Sequence, residues 1–273
     1  MTPREFNLFQ QLIYSHAGIA LSPEKQVMLC SRLSKRLDFY GLSSFTQYYD
    51  LIHSLEYQQE FQIMIDLVTT NETYFFREPK HFTFLKEHIL KNWLGDTFNI
   101  WSAACSTGEE TYSLAMVLAE TLGYRKWEIF GSDISSRVLE TAKTAVYLMD
   151  RLENMDNSLM EKYCLRGVRS QSGYFCMDSG LKKRIQFEQI NLVKPLPIHL
   201  NRNFDVIFLR NVLIYFDQAT KKSVVERVIA TLKPGGYFII SHSENLHQIN
   251  TNLLMVKPSI YQKKSAHTTQ SSK

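Results

Sequence analysis

Small side chains and two carboxylates occur together at residues 100–110, which read Ile-Trp-Ser-Ala-Ala-Cys-Ser-Thr-Gly-Glu-Glu. An apolar stretch with helical spacing follows, and a second strand-like run then ends in Asp133. Where a parallel strand turns into a helix, small side chains let a ligand approach the backbone. An acid at the end of the next strand is suited to bind a ribose diol. The pattern predicts a crevice for a cofactor that contains a nucleoside.

The carboxylates of Glu109 and Glu110 restrict the kind of cofactor. The N-terminus of a helix normally attracts an anion such as a phosphate, but two carboxylates at that position repel one. The segment also lacks the second glycine pair that is typical of dinucleotide binding. These features argue against NAD or ATP and favour a cofactor without phosphate and with positive charge, a description that S-adenosylmethionine fits.

A sheet and flanking helices are needed to hold these residues, and the sequence predicts both. Strand-like and helix-like segments alternate from about residue 98, which is typical of a mostly parallel sheet with helices on both faces. Strands are predicted near residues 98–103, 127–132, 185–189, 204–209 and 237–241. The run at 204–216 reads as a strand buried on both faces, so its ligand-facing end should lie near Arg210 and Asn211. The breaker Leu-Lys-Pro-Gly-Gly at 232–236 leads into the last strand, and residues 254–261 are a candidate for one more.

The chain is predicted to contain two domains. Residues 1–70 carry apolar stripes at helical spacing and should form an all-helical domain, and 71–97 form a linker and a first helix. Residues 98–264 should form the cofactor-binding α/β domain, and an insert with several glycines at about 165–186 is predicted to be a small β-subdomain. The polar segment 265–273 is expected to be a disordered tail.

The composition sets further limits. The chain has 273 residues, of which 44% are hydrophobic and 21% charged, as in ordinary globular proteins. Its net charge of +4 does not by itself predict binding to nucleic acid or to a membrane. The four cysteines lack CxxC spacing, the start lacks a signal-peptide-like run, and no stretch reaches the ~20 apolar residues of a membrane span. We expect a cytoplasmic protein with reduced thiols and without a membrane segment, and nothing requires more than a monomer.

The triplet His242-Ser243-Glu244 contains residue types that occur in hydrolase triads. A G-x-S-x-G elbow does not accompany it, and the histidines lack the H-E-x-x-H spacing of a zinc site. We therefore predict neither a nucleophile nor a metal site.

Four blocks of sequence together resemble one known family. They are Thr-Thr-Asn-Glu-Thr-Tyr-Phe-Phe-Arg-Glu at 69–78, Trp-Ser-Ala-Ala-Cys-Ser-Thr-Gly-Glu-Glu at 101–110, Ser-Asp-Ile at 132–134 and Arg-Asn-Val-Leu-Ile-Tyr-Phe-Asp at 210–217. In this order they resemble the chemotaxis receptor methyltransferase family, CheR, and the resemblance covers about residues 5–262. It implies a helical N-terminal domain joined to a Rossmann-like methyltransferase domain with a small inserted β-subdomain. It also implies methylation by S-adenosylmethionine of glutamate side chains in methyl-accepting chemotaxis receptors, which forms methyl esters for sensory adaptation.

The resemblance assigns cofactor contacts to Asn71, Thr73, Arg77, Glu110, Asp133, Asn191, Leu192, Asn211 and Val212. Arg77 can pair with the methionine carboxylate, Asp133 can accept hydrogen bonds from ribose hydroxyls, and Asn191 can read the adenine edge. Glu110 would lie on the amino-acid side of the cofactor. The family usually has proline after the Glu-Glu pair, where this chain has Thr111. Threonine is acceptable in the first turn of a helix, so we expect little effect on binding.

Methyl transfer to glutamate needs no general base, since the carboxylate is already ionised near neutral pH. In-line positioning and desolvation of this carboxylate can lower the barrier by several kcal/mol. We predict Tyr215 and Arg77 as catalytic residues, with Tyr215 orienting the carboxylate or shaping the methyl channel. Simpler alternatives stay open: Tyr215 as a core aromatic, Arg77 in a surface ion pair, and Asp133 as the cap of the helix that follows it.

Arg32, Lys35 and Arg36 share one face of a predicted helix, which Lys25 and Arg4 could extend. Such a face is most often simply solvated. The resemblance implies instead that it binds the acidic, cytoplasmic helical bundle of the receptor. In some relatives the inserted subdomain adds a receptor's C-terminal pentapeptide as an edge strand, and whether this chain does so stays open.

Two other functions stay open at this point. One is a methyltransferase of the same fold that acts on another substrate. The lack of an N/D-P-P-Y/F motif and of a strongly basic domain counts against nucleic acid. The other is a non-catalytic regulator that binds S-adenosylmethionine, which would require a damaged pocket, whereas every expected cofactor residue is present. The sequence does not identify the receptor, its modified glutamates or the output of the pathway.

Overall fold

The first part of the chain is entirely helical. The computed structural model describes residues 1–153, 155–200, 204–247, 249 and 252–265. Residues 3–68 contain the helices α1 (Pro3–Ala17), α2 (Gln26–Tyr40), α3 (Phe45–His53) and α4 (Gln58–Val68). Thr2 and Glu5 form a capping box at the start of α1, and Gly18 and Gly41 end α1 and α2 in the left-handed conformation. We call residues 3–68 the helical unit.

The helical unit has a core of its own, which explains why its four apolar stripes were visible in the sequence. The fully buried side chains of this core are Phe9, Ile13, Leu29, Leu33, Tyr48, Met64 and Ile65. The rings of Phe9 and Tyr48 stack with their centroids 6.1 Å apart. Burial of each such side chain contributes about 1.5–3 kcal/mol, so the unit does not depend on the sheet alone for its stability.

Strands and helices alternate through the rest of the described chain. The strands are β1 (Thr97–Ala103), β2 (Lys126–Asp133), β3 (Val146–Leu148), β4 (Cys164–Arg166), β5 (Tyr174–Met177), β6 (Ile185–Gln189), β7 (Phe204–Leu209), β8 (Leu232–Ile239), β9 (Leu253–Lys257) and β10 (Ile260–Lys263). The helices are α5 (Lys80–Phe84), α6 (Glu109–Leu122), α7 (Ser136–Thr144), α8 (Asn157–Tyr163), α9 (Ser179–Lys182) and α10 (Gln218–Ala230). Among the described residues, we find no helix with the length and apolar character that crossing a membrane requires.

The main sheet has the strand order β6-β2-β1-β7-β8-β10-β9, and the predicted α/β architecture is confirmed. Pairing is parallel from β6 to β8 and antiparallel for β10 and β9. Ala103 is in register with Ser132 on one side and with Leu209 on the other. The loops after β1, β2 and β7 therefore start level at one edge, and the strand order reverses between β1 and β7, which opens a crevice there.

Both faces of the sheet are covered, as the alternation of strands and helices predicted. In β1, Ile100 packs into the core cluster that contains α6, whereas its neighbour Trp101 packs into the cluster that contains α10. All the residues from Ile100 to Ala103 are buried. The second half of the central strand therefore has no solvent face, and its carboxyl end opens into the crevice between β1 and β7.

The small sheet is larger than the insert predicted at 165–186. It has the order β3-β5-β4, and its first strand begins at Val146, well before that range. Ile185 belongs instead to β6 of the main sheet. β3 has only three residues, too few to show a periodic pattern, and it is held by pairing with β5.

The end of the chain differs from the prediction in two further details. The Lys-Pro-Gly-Gly segment lies inside β8: Leu232 pairs with Phe204 and Tyr237 with Val206, so the intervening residues form an irregularity in the strand rather than a loop before it. The predicted strand at 254–261 is two strands, β9 and β10, with Ser259 in the left-handed conformation between them. From residue 266 onwards, the predicted tail lies outside the described residues.

Candidate functional site

A cavity of about 360 Å³ lies at the carboxyl edge of the sheet, where the strand order reverses. Every residue that the sequence analysis assigned to the cofactor lines it, as does Tyr215. These residues come from the linker after α4, the start of α6, the end of β2 and the segments that follow β6 and β7. The fold thus brings distant segments together at one site. Their contacts with a bound cofactor stay a prediction.

The loop after β1 has an unusual backbone. Ala104 and Ser106 have φ values of 59° and 50°, which are left-handed conformations that few residues other than glycine adopt. Ser106 fixes the loop to two other segments: its N donates to Asp133 Oδ2 at 2.9 Å, and its Oγ donates to the carbonyl of Asn71 at 3.0 Å. The small side chains noted in the sequence are therefore needed for backbone conformation as well as for ligand access.

Asp133 joins the loops that follow β1 and β2. Its side chain is buried, with 7% exposure, and accepts hydrogen bonds from the backbone N–H groups of Ser106 and Ser135. Burial raises the pKa of this carboxyl even though these bonds act in the opposite direction. A carboxylate has about four acceptor positions, so capacity is left for ribose hydroxyls. The side chain that caps α7 is that of Ser135, which accepts from Val138 N, and not that of Asp133.

Arg210 connects two acidic residues beside the cavity. Its Nη1 donates to Glu110 Oε2 at 2.9 Å, and its Nη2 lies 3.0 Å from Glu78 Oε2 and donates to the carbonyl of Arg77 at 2.6 Å. The arginine lines the cavity and is only 5% exposed. The sequence pattern predicted Arg210 at the end of a buried strand and indicated no role for it. The structure shows that it offsets the charge of both carboxylates and holds the backbone of Arg77.

Arg77 keeps most of its donors available. Nη1 donates to the carbonyl of Glu72 at 2.7 Å, and the guanidinium lies 5.7 Å from the ring centroid of Tyr74. Within the described part of the chain, the salt bridges involve other residues, so the alternative of a surface ion pair for Arg77 is not what the structure shows. A guanidinium has five N–H donors, and the remaining ones can bind a carboxylate ligand.

Asn191 has a structural role that the sequence did not indicate. Its Nδ2 donates to the carbonyl of His16 at the end of α1, at 2.6 Å, and its Oδ1 accepts from Val193 N at 3.1 Å. Both polar atoms of the side chain are thus already bonded within the protein. Recognition of adenine by this amide stays a prediction, and the geometry instead favours the neighbouring backbone and the apolar side chain of Leu192, which also line the cavity.

Glu244 organises the loop after β7, a role that sequence reasoning missed. This carboxylate is 8% exposed and accepts from the backbone N–H groups of Asn211, Leu213 and Ser241, at 3.1, 2.8 and 2.8 Å. Asn211 has a φ of 58°, and its side chain also donates to Ser241 Oγ. Burial raises the pKa of Glu244. The loop that carries the predicted cofactor residues Asn211 and Val212 is therefore folded around the buried carboxyl group of Glu244.

The helical unit forms one wall of the same cavity. Ala20 N donates to the carbonyl of Tyr215 at 2.9 Å, and Ile19 and Phe216 form an antiparallel bridge. Tyr215 is only partly buried and belongs to none of the hydrophobic clusters, which argues against the alternative of a core aromatic. The residues of the helical unit and the loops between its helices that line the cavity are Ala17, Ile19, Ala20, Leu21, Ser22, Lys25, Met28 and Val68.

The three basic residues of α2 do not form one free charged face. Arg36 makes a bidentate pair with Glu60, a carboxylate that also accepts from the hydroxyls of Tyr40 and Tyr48. Arg32 donates to the carbonyls at the end of α4. Lys35 is exposed. Because α2 packs against α4, two of the three cations have structural partners, and sequence spacing alone could not reveal this.

A group of titratable side chains lies behind Arg210. The ligand atoms of Glu78, His81 and His242 are within 4.8 Å of one another. Burial lowers the pKa of His81 to about 3, and the positive charge of Arg210 acts in the same direction. The carboxylate of Glu78 is bonded to Arg210 and to Ser241 Oγ, which counteract the effect of burial and lower its pKa. The negative charge of Glu78 is thus already balanced by the positive charge of Arg210.

The lining of the cavity suits S-adenosylmethionine. The acidic Glu110 and Asp133 can bind an ammonium group and ribose hydroxyls, and Arg77 can bind a carboxylate. Ile134, Ile190 and Leu192 provide apolar surface for a base. Burial of Asp133 and pairing of Glu110 with Arg210 preorganise both acids before a ligand arrives.

Comparisons with known proteins show which family models and relatives the chain matches. Residues 71–261 match the family model described as CheR methyltransferase, SAM binding domain, and residues 4–69 match that of the CheR methyltransferase all-alpha domain. The chain is 37% identical to the chemotaxis protein methyltransferase of Escherichia coli (strain K12), over 96% of this chain and 91% of the relative. It is 35% identical to that of Borreliella burgdorferi, over 96% and 95%, and 36% identical to chemotaxis protein methyltransferase 2 of Pseudomonas aeruginosa, over 95% and 93%.

Proposed function

Because the chain belongs to the CheR methyltransferase family, we propose that it methylates specific glutamate side chains of methyl-accepting chemotaxis receptors and forms glutamate methyl esters. It is an S-adenosylmethionine-dependent methyltransferase of chemotaxis. The observation that carries the finer proposal is the cavity at the sheet edge, which joins the predicted cofactor residues to Tyr215 and to the wall of the helical unit.

Each residue of the site has a proposed task. Bound S-adenosylmethionine supplies an activated methyl group on a sulfonium centre. Arg77 binds the carboxylate of its amino-acid part, Glu110 binds the ammonium group, and Asp133 accepts from the ribose hydroxyls. Asn71, Thr73, Asn191, Leu192, Asn211 and Val212 complete the binding surface.

The acceptor makes modest chemical demands on the protein. A glutamate carboxylate is ionised at neutral pH, so no side chain has to remove a proton. Tyr215 is proposed to orient this carboxylate, because its loop is fixed from two sides by Glu244 and by the backbone of Ala20. Positioning of the acceptor carboxylate and exclusion of water from it then lower the barrier to methyl transfer.

The receptor is proposed to dock on the helical unit. Of the three basic residues predicted on α2, Lys35 is exposed and is proposed to contact the receptor. Arg32 and Arg36 instead bind groups of α4 and hold α2 in place. An acidic helical bundle would be attracted to such a surface, and salt should weaken the attraction. The receptor region concerned is cytoplasmic, so we place the protein in the cytoplasm and propose that it acts there as a monomer.

The small sheet is a second proposed contact. Its edge strands are β3 and β4, and Leu165 exposes an apolar side chain on the β4 edge. A receptor's C-terminal pentapeptide could add to this edge as a further strand and raise the local concentration of the substrate. Failure of immobilised pentapeptide to retain the protein at high concentration would remove this contact from the proposal.

Transfer of labelled methyl to a receptor cytoplasmic fragment tests the function directly. We expect the protein to label the fragment, and mild base to release the label as volatile methanol, because a glutamate methyl ester hydrolyses readily. The label should disappear with the Asp133→Ala variant. If the protein binds S-adenosylmethionine but the fragment stays unlabelled, the substrate is a different one or the protein is a regulator. Label that resists base would contradict ester formation.

A further inference from the structure

Asp66 is a buried carboxylate of the helical unit that binds to the other part of the chain. It lies near the end of α4 and is 5% exposed. Oδ1 accepts from Ser136 N at 3.2 Å and from Gln62 Nε2 at 2.7 Å, and Oδ2 accepts from Ser136 Oγ at 2.9 Å and Arg137 N at 3.3 Å. Two backbone N–H groups of α7 are therefore satisfied by a side chain from another unit.

These bonds complete the N-terminus of α7. The first N–H groups of a helix have no partner within the helix. In α7, those of Ser136 and Arg137 bind Asp66, and that of Val138 binds Ser135 Oγ. A negative charge at this end also interacts favourably with the helix dipole. Since Ser135 alone can serve only one of these groups, the helix start depends on Asp66.

The turn just before α7 carries the proposed ribose acceptor. Asp133 ends β2, and Ser135 N donates back to its carboxylate at 3.0 Å. Ile134 lines the cavity and also packs against the core of the helical unit. Its carbonyl accepts from Gln62 Nε2 of α4, at 3.1 Å, and from Gln189 Nε2, at 2.9 Å. The turn is thus held on one side by α4 and on the other by β6, and Asp133 and Ile134 line the cavity.

From this geometry we propose that Asp66 is a positioning residue of the cofactor site. It does not line the cavity. It acts by holding the start of α7 and, through it, the Asp133–Ile134 turn in the conformation that receives the cofactor. The helical unit therefore has two tasks: receptor docking, as proposed above, and construction of the cofactor pocket. This inference concerns cofactor binding and does not require that the substrate be a receptor glutamate.

The Asp66→Asn variant tests the proposal with little change in side-chain shape. Each carboxylate oxygen of Asp66 accepts two hydrogen bonds. In the variant an NH₂ donor replaces one of these oxygens, so the turn should loosen. In titration calorimetry of the full chain with S-adenosylhomocysteine, we expect the Kd to rise about 5- to 50-fold. Hydrogen exchange of residues 133–139 should become faster in the protein without ligand. Asp50, an exposed aspartate of α3, provides the matched control as Asp50→Asn and should leave both measurements unchanged.

Kinetics separate positioning from a purely structural role. For Asp66→Asn we expect a higher KM for S-adenosylmethionine, with kcat at saturating cofactor and the KM for the receptor fragment both close to wild type. If the variant has a lower Tm but an unchanged Kd for S-adenosylhomocysteine, Asp66 serves only stability and the proposal is overturned.

A milder variant covers the case in which Asp66→Asn does not fold. Ser136→Ala removes one hydroxyl donor from the same carboxylate and leaves the charge in place. It should raise the Kd about 2- to 5-fold, and Gln62→Ala, which removes another donor to Asp66, should act in the same direction. Unchanged affinity in both of these variants would equally overturn the proposal.

Discussion

The carboxylate of Glu110 lies 2.9 Å from the guanidinium of Arg210, and both side chains line the cavity. Glu109, the adjacent residue in α6, is directed elsewhere: it accepts from Thr107 Oγ1 at 2.6 Å and is not part of the lining. Two neighbouring carboxylates that look equivalent in the sequence therefore have different surroundings and, we infer, different roles.

Substitution of these two residues separates their roles. Glu110→Gln removes the charge proposed to bind the ammonium group and should weaken binding of S-adenosylhomocysteine at least tenfold, since hydrogen bonds between charged groups contribute about 1.5–3 kcal/mol. Glu109→Gln should leave the affinity within about twofold and should not reduce stability. Burial raises the pKa of Glu109, so its charged form already carries a desolvation cost. Calorimetry and thermal unfolding measure both quantities. Equal losses of affinity in the two variants would contradict the assignment.

Arg77 can be tested with two ligands that differ in one part. Arg77→Gln should weaken binding of S-adenosylhomocysteine by about 10- to 100-fold, because a carboxylate of the ligand loses a charged donor. The affinity for 5′-methylthioadenosine, which lacks the amino-acid part, should stay the same. Lys80→Gln changes an exposed cation outside the cavity lining and is the control. A parallel loss for both ligands would mean that Arg77 shapes the whole pocket rather than one end of it.

Alanine substitutions of Lys35 and of Arg36 should have different effects on stability and on the methylation rate. Lys35→Ala should leave the free energy of unfolding within about 0.5 kcal/mol of wild type, as is usual for exposed positions. It should lower the rate of receptor methylation, most strongly at low salt, because it removes steering charge. Arg36→Ala should destabilise the protein by about 3 kcal/mol, since it leaves Glu60 buried without its cation. Urea unfolding and initial rates at two salt concentrations provide the readouts. Destabilisation by Lys35→Ala would show that this residue, too, has a structural partner.

His81 should make stability depend on pH. Its pKa falls from the usual 6.5 to about 3 on folding because the ring is buried. The unfolded chain therefore binds a proton below pH 6.5 that the folded protein does not. The stabilisation is complete above pH 6.5 and is lost as the pH falls toward 3, by about 1.4 kcal/mol for each pH unit.

The variant His81→Gln lacks this titration and keeps a polar partner for Ser259, which His81 contacts at 2.7 Å. Glu78 stays ionised between pH 6.5 and 5, because its pKa is lowered. Over this window, the difference in unfolding free energy between wild type and variant should shrink by about 2 kcal/mol. Chemical denaturation at several pH values measures it. A constant difference would mean that His81 gains its proton equally in both states.

Much of the architecture followed from local pattern. The apolar stripes of the first 70 residues, the strand of β1 and the buried run of β7 were readable because their periodicity repeats over many residues. The strand β3 could not be predicted, because its three residues are too few to show a periodicity and they owe their conformation to pairing with β5. The irregular start of β8 was also missed, because Pro and Gly usually mark a loop and only the register with β7 shows otherwise.

The site shows the same division. Residue types and spacing alone indicated a nucleoside crevice near Glu110 and Asp133 and placed a ligand-facing strand end near Asn211. The family resemblance added Arg77 and the cofactor contacts of the loop after β7. The carboxylates that hold the loops from outside, Asp66 and Glu244, had no signal, because their partners are backbone N–H groups far away in the chain.

The sequence by itself determined the α/β class, the kind of cofactor and the residue types that would meet it, because these follow from periodicity and from chemistry that neighbouring residues share. The tertiary structure alone decided which charges are free and which are bound. Arg36 turned out to serve Glu60, Asn191 to bind α1, and Asp66 to complete a helix in the other unit. The reason is physical: a buried charge or amide must find a partner wherever packing provides one, and packing is a property of the whole fold.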